Sequence, residues 1–139
     1  MINRELINPQ SIVVVGGSNN VHKPGGRLVR NLLDGKYKGE LYVVNAKEDD
    51  VQGLKSYHSV HDIPETELAI ISIPGPACPE AVDVLAKQKN VKAFIVISAG
   101  FGEETHEGAI LEEQMLKSIN EAGASSVSYT HLTLPTIRL

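Results

Sequence analysis

Apolar residues in this chain gather in four short, almost charge-free runs at residues 12–15, 41–44, 68–73 and 93–97. The runs are rich in Val and Ile and do not alternate with polar residues, as expected of strands covered on both faces of a parallel sheet. Between them the apolar period becomes helical. Leu28, Val29, Leu32 and Leu33 form one stripe, in a helix over about residues 26–33 that Asp34-Gly35 ends. Ala81, Val82, Leu85 and Ala86 form a second, with Pro79 near its first turn and Lys87 and Lys89 near its C-terminal end. Leu111, Met115, Ile119 and Ala122 form a third, closed by Gly123. Residues 55–63 are less regular, with Val60 and Ile63 as anchors of a short strand or turn, and residues 62–67 read as a polar loop. Strands alternating with helices predict the α/β class: a Rossmann-like parallel sheet with helices on both faces and right-handed crossovers.

The first apolar run stops at Gly16-Gly17-Ser18, and a helix pattern follows. Strand, glycine turn and helix together open a nucleotide-binding α/β domain. Glycine lets the backbone approach something bulky, and the turn's amides can face an anion. Ligands of such sheets bind beyond the carboxyl ends of the strands, where strand order reverses. Those ends carry Gly16-Gly17-Ser18, Asn45-Ala46-Lys47, Pro74-Gly75-Pro76 and Ser98-Ala99-Gly100. Strand-to-helix turns favour such residues in any case, so one turn says little; four together favour a crevice. The dinucleotide fingerprint is incomplete. Gly25-Gly26 comes late, and the second strand ends in Asn45-Ala46-Lys47 where NAD would require an acid. A lysine there suits an additional phosphate, the 2′-phosphate of NADP or the 3′-phosphate of coenzyme A. Lys23 can serve the same ligand; for each lysine the alternative is an ordinary solvated side chain.

Composition narrows the picture further. The chain has 139 residues, enough for one domain with one core, and a net charge of −4, which argues against general affinity for nucleic acid. Cys78 is the only cysteine, so no internal disulfide exists. The N-terminus lacks a signal-peptide pattern, and no apolar stretch approaches the ~20 residues that span a bilayer. A cytoplasmic location with no membrane association is the expectation. None of His22, His58, His61, His106 and His131 has a catalytic context, and Cys78 reads as packing. Glu103, Glu104 and Glu107 precede the last helix, where its dipole favours acids.

The chain resembles the N-terminal CoA-binding domain of NDP-forming acyl-CoA synthetases (ADP-forming acetate–CoA ligase), which also occurs in the alpha subunit of succinyl-CoA synthetase. The resemblance rests on Pro9-Gln-Ser-Ile-Val-Val-Val-Gly-Gly-Ser18, Lys23-Pro-Gly25, Asn31-Leu-Leu33, Tyr42-Val-Val-Asn45 with Lys47, Val51-Gln-Gly53, Ile73-Pro-Gly-Pro76 and Ile97-Ser-Ala-Gly-Phe-Gly-Glu103. It implies that Gly16, Gly17 and Ser18 meet the CoA phosphates, with Lys23 nearby. It also implies that Asn45 and Lys47 lie near the nucleotide portion, and that Ile73, Pro74 and Gly75 follow the pantetheine. Ser98, Ala99 and Gly100 would line the inner end where the thioester forms, and Glu103 would help shape the site. The family usually has Asn-Pro-Lys where this chain has Asn45-Ala46-Lys47, which loosens the turn and keeps the lysine.

On this resemblance the parent reaction is reversible formation of acyl-CoA, NDP and phosphate from a short-chain acid, CoA and ATP or GTP. The phosphorylated histidine and nucleotide site belong to further C-terminal domains or another subunit, so this fragment is expected to bind CoA without catalysis. Rival readings are a stand-alone or regulatory CoA- or nucleotide-binding module, a regulatory region of a lysine acetyltransferase, and an NAD(H)-sensing domain, the last disfavoured by Lys47. The likeness runs to about Ala124. Residues 125–139, without an acid or a helical period, resemble a recurrent C-terminus made by translating sequencing-adaptor DNA. The expectation is therefore a domain at residues 1–124 with a non-native tail at 125–139, the alternative for the tail being a genuine edge strand over 127–134. The family's last strand and its ligand-facing loop would be missing, and the open edge would invite homo-oligomers.

Overall fold

Val and Ile runs buried on both sides fix the strands of the computed structural model, which describes residues 9–97 and 106–129. The chain runs β1 (Ser11–Val15), α1 (Pro24–Asp34), β2 (Glu40–Val44), β3 (Asp50–Val51), β4 (Leu54–Tyr57), a 3-10 turn at Val60–Asp62 and β5 (Leu68–Ile71). It continues through a 3-10 turn at Gly75–Ala77, α2 (Cys78–Gln88), β6 (Ala93–Ile97), α3 (His106–Glu121) and β7 (Ser125–Tyr129). The seven strands lie in the order β3-β4-β2-β1-β5-β6-β7. All neighbours are parallel except β3 and β4.

Successive side chains of each central strand enter two separate cores. Ile12, Val14, Ile70 and Ile95 pack under Leu28, Val29 and Leu32 of α1. Val13, Ile71, Phe94 and Val96 pack under Val82 and Leu85 of α2 and Met115 and Ile119 of α3. Two covered faces explain why the strand sequences do not alternate. Across α2 and α3, the Ser118 hydroxyl donates to Asp83 Oδ1 at 3.0 Å, and Lys87 Nζ lies 2.9 Å from the same oxygen. These hydrogen bonds, Lys87 foremost, hold the Asp83 carboxyl below the usual carboxylate range.

Two features depart from the sequence-based expectation. Residues 50–54, given no element there, and 55–57, part of the irregular segment, form the β3–β4 hairpin, whose tip is Gln52-Gly53 with φ of 52° and 90°. β3 is only two residues long, too short for any period to register. The second is the expected loss of the last strand: residues 125–129 pair in parallel with β6, Ala93 opposite Ser125 through Ile97 opposite Tyr129. An uncovered β6 would leave its backbone groups unpaired, and a stretch of Ser, Val and Tyr pleats readily against it. Residues 130–139 lie outside the described residues.

Phe94 is the largest fully buried side chain among the described residues. Truncation by Phe94→Ala is expected to cost about 3–5 kcal/mol of stability, read from chemical denaturation with an unchanged slope.

Candidate functional site

Parallel register brings the strand ends together. Val15 lies opposite both Val44 and Ile71, and Ile71 lies opposite Val96. The next residues are hydrogen-bonded across the tips: Gly16 N–H donates to Val44 O at 2.9 Å, Ser72 N–H to Val15 O at 2.8 Å and Asn45 N–H to Tyr57 O at 2.9 Å. The chain leaves β1 toward β2 on one side, and β5 flanks β1 on the other. The glycine turn therefore sits at the point where strand order reverses, the usual ligand position in such sheets.

Gly16 has φ of 93°, and a β-carbon there would collide with the Ser72 carbonyl. A β-carbon on Gly25 would collide with the Gly16 carbonyl oxygen. Both glycines are therefore required by contact of the chain with itself, whereas the sequence suggested room for a ligand. The consequence for ligands is indirect. Carbonyl oxygens of Gly16, Ser18 and Asn20 lie against Gly25 and Gly26, in the first turn of α1. Every described peptide is trans, so the following amides of Gly17, Asn19 and Val21 turn the opposite way. The N–H groups of Gly17, Ser18, Asn19 and Val21 have no protein acceptor among the described residues. Neither do those of Gly25 and Gly26, while Pro24 at the first helical position brings no donor. Unpaired successive amides beside a helix N-terminus form a cradle suited to an anion.

Asn45 is committed to the chain itself. Its Nδ2 donates to Gly17 O at 2.9 Å, and its Oδ1 accepts from the backbone N–H of Lys47 at 2.8 Å and of Glu48 at 3.0 Å. It ties the end of β2 to the glycine turn and folds the loop that carries Lys47. The Lys47 side chain is exposed, as is that of Lys23, which immediately precedes α1. Ser18 folds its own turn, its Oγ accepting from Asn20 N–H at 3.0 Å. Ile73 and Pro74 follow Ser72 beside Gly16, and Gly75 is buried where its 3-10 turn begins. Ser98, Ala99, Gly100 and Glu103 lie outside the described residues. Cys78 is buried, with its Sγ 3.5 Å from Ile73 O, consistent with packing.

Two residues with no role assigned from the sequence join this group, Asn19 and Gln52, the latter noted there only within Val51-Gln-Gly53. Gln52 Nε2 donates to Ser18 O and to Gly26 O, each at 2.8 Å. Asn19 Oδ1 accepts from Gln52 N–H at 2.7 Å, and Asn19 Nδ2 donates to Asp50 O at 3.0 Å. The available signal was the Val51-Gln-Gly53 piece of the resemblance, whose glycine marks a turn with no assigned hairpin around it. Two surface hollows lie elsewhere, at the amino ends of the strands. One of about 590 Å³ is lined by residues including Pro9, Tyr37 and Glu40, the other of about 410 Å³ by Glu65, Thr66 and Lys92. Neither contains a residue of the cradle. Among the described residues no group of three His, Cys, Asp or Glu could hold a metal, and no helix is long and apolar enough to cross a membrane.

Residues 10–130 match the family described as a CoA binding domain. The chain belongs to this CoA-binding domain family. The ADP-forming acetate–CoA ligase II of Archaeoglobus fulgidus is 39% identical over 121 residues, covering 86% of this chain and 18% of the ligase. The alpha subunit of the ADP-forming acetate–CoA ligase II of Pyrococcus furiosus is 38% identical over 120 residues, covering 85% of this chain and 26% of the subunit. A crystal structure from Pyrococcus horikoshii OT3 superposes with a TM-score of 0.78 at 39% identity, over 86% of this chain and 27% of that one. The dinucleotide-forming acetyl-coenzyme A synthetase 1 of Ca. Korarchaeum cryptofilum superposes with a TM-score of 0.73 at 31% identity, over 89% and 27%. The chain thus spans about a quarter or less of the curated relatives it matches. It is a CoA-binding domain of the kind found in ADP-forming acyl-CoA synthetases.

The contact between Gly25 and the Gly16 carbonyl is backbone on backbone and cannot be relieved by a rotamer change. Gly25→Ala is expected to destabilise this CoA-binding domain by about 1–3 kcal/mol, measured as a lower denaturation midpoint.

Proposed function

We propose that this chain binds coenzyme A across the carboxyl ends of its strands and holds it for an acyl-CoA synthetase reaction completed elsewhere. The observation that carries this reading is the run of amides at Gly17, Ser18 and Asn19 without a protein acceptor among the described residues, beside the N-terminus of α1, with Lys23 just before that helix and Lys47 on the loop that Asn45 folds, both exposed. The pyrophosphate of CoA fits that cradle, because main-chain N–H groups and a helix N-terminus stabilise negative charge together. Lys47, presented by the Asn45 turn, takes the 3′-phosphate, and Lys23 lends a second cation. The pantetheine arm runs along Ile73, Pro74 and Gly75 toward Ser98, Ala99 and Gly100. Asn45 acts from behind the site, holding Gly17 and the Lys47 loop rather than the ligand.

When bound, CoA supplies the thiol that accepts the acyl group. The chain's own residues bind and orient it. The complete protein is a reversible acid–CoA ligase that uses ATP or GTP and a short-chain acid. Its phosphorylated histidine and nucleotide site are supplied by further domains or a companion subunit, and its location is cytoplasmic. Support for the larger reading comes from the ligases with which the chain shares 37–39% identity.

Titration calorimetry on the whole chain is expected to give saturable binding of CoA; a folded chain that takes up no CoA would falsify the assignment. Lys47→Ala is expected to weaken CoA about tenfold while leaving dephospho-CoA nearly unchanged, because only CoA carries the 3′-phosphate. Equal losses for the two ligands would remove Lys47 from that role.

A further inference from the structure

Gln52 occupies the tip of the β3–β4 hairpin with φ of 52°, a backbone region unfavourable for a residue with a β-carbon. Its side chain leaves the hairpin and meets two carbonyl oxygens that are distant in sequence, those of Ser18 and Gly26. Both hydrogens of the amide are used, so its orientation is fixed: turned over, Oε1 would face two other oxygens. As it stands, Oε1 is buried without a hydrogen-bond partner, an unfavourable state for an acceptor. The local conformation and the orphaned oxygen both cost free energy, and the two bonds to the glycine turn and α1 are what this arrangement achieves.

We propose that Gln52 is a positioning residue for the phosphate cradle, clamping Ser18 O to Gly26 O so that the amides of the glycine turn are held ready for an anion. The proposal rests on the CoA-binding reading given above. A planar trans peptide carries its C=O and N–H in opposite directions, so fixing the Ser18 oxygen also aims the Asn19 N–H. The Gly26 bond ties the same peptide to the first turn of α1, which keeps the two sets of free amides in one arrangement. The reciprocal contacts of Asn19 with Gln52 and Asp50 hold the hairpin tip over the turn. Without the clamp, the turn must be ordered when the ligand arrives, and that ordering subtracts from affinity. Gln52 acts through Ser18, Asn19 and Gly26 and touches no ligand itself.

The test is calorimetry on the full chain, with circular dichroism to monitor folding. Gln52→Met keeps the length of the side chain and removes both donors. It is expected to weaken CoA and dephospho-CoA alike, by about tenfold, because both carry the pyrophosphate. That pattern differs from the CoA-selective loss expected of Lys47→Ala. Gln52→Glu supplies a second readout within one folded protein. Its carboxylate faces two carbonyl oxygens at neutral pH, and protonation returns a donor. Its deficit relative to wild type should therefore shrink as pH falls from about 7.5 to 5.5. Unchanged affinity in Gln52→Met, or a loss seen with CoA and absent with dephospho-CoA, overturns the proposal. Should Gln52→Met not fold, a Gln52→Glu deficit that stays constant with pH overturns it. A wild-type chain that binds neither ligand rejects the CoA reading and the clamp with it, whereas a binding wild type with an indifferent variant rejects the clamp alone.

Discussion

The arrangement at the strand ends depends on one close contact, that between the Gly16 carbonyl and the α-carbon of Gly25. No side chain separates the turn after β1 from the first turn of α1, because a β-carbon on Gly25 would collide with that oxygen. The approach places the carbonyls of the glycine turn against α1 and leaves the intervening amides facing away from it. It also sets the free amides of Gly25 and Gly26 next to those of the turn. An anion cradle arises here from how two pieces of backbone pack, with almost no contribution from side-chain donors. Such a site tolerates wide sequence change outside its glycines, since any residue except proline carries an N–H.

The polar side chains nearby serve this backbone arrangement. Asn45 bonds to Gly17 O and to two amides of its own loop, and Gln52 bonds to Ser18 O and Gly26 O. Each takes up carbonyl oxygens or organises a turn, and neither competes for the free N–H groups. The exposed lysines, Lys23 and Lys47, lie outside this scaffold and remain available to solvent-borne charge. Rigidity here comes from partly buried amides with fixed partners, while the two lysines keep their charge in solvent.

Much of this was legible in the chain. The four Val- and Ile-rich runs became β1, β2, β5 and β6, and the three apolar stripes became the three helices, because double-sided burial and helical spacing leave strong periodic marks. The third run ends earlier than expected, at Ile71, although Ser72 still donates to Val15 O. The β3–β4 hairpin left no such mark: β3 is two residues, Asp50 and the buried Val51, after Glu48 and Asp49, too short for a period to show. β7 was legible only as the lesser alternative, an edge strand over 127–134, because its composition is polar; its pairing with β6 begins at Ser125. At the site, the glycines were visible but their cause was not. Sequence gives the absence of a β-carbon and cannot say whether ligand or protein fills the space. Asn45 was visible by position, and its three bonds within the chain emerged only from the geometry.

The short β3 also shapes the border of the sheet. With two residues, it presents too little backbone for a strand from another molecule to zip onto, and the acidic run beside it repels such an approach. A border of this kind is quenched. The hairpin that carries Gln52 to the glycine turn thus also guards the molecule against fibrous self-association on that flank.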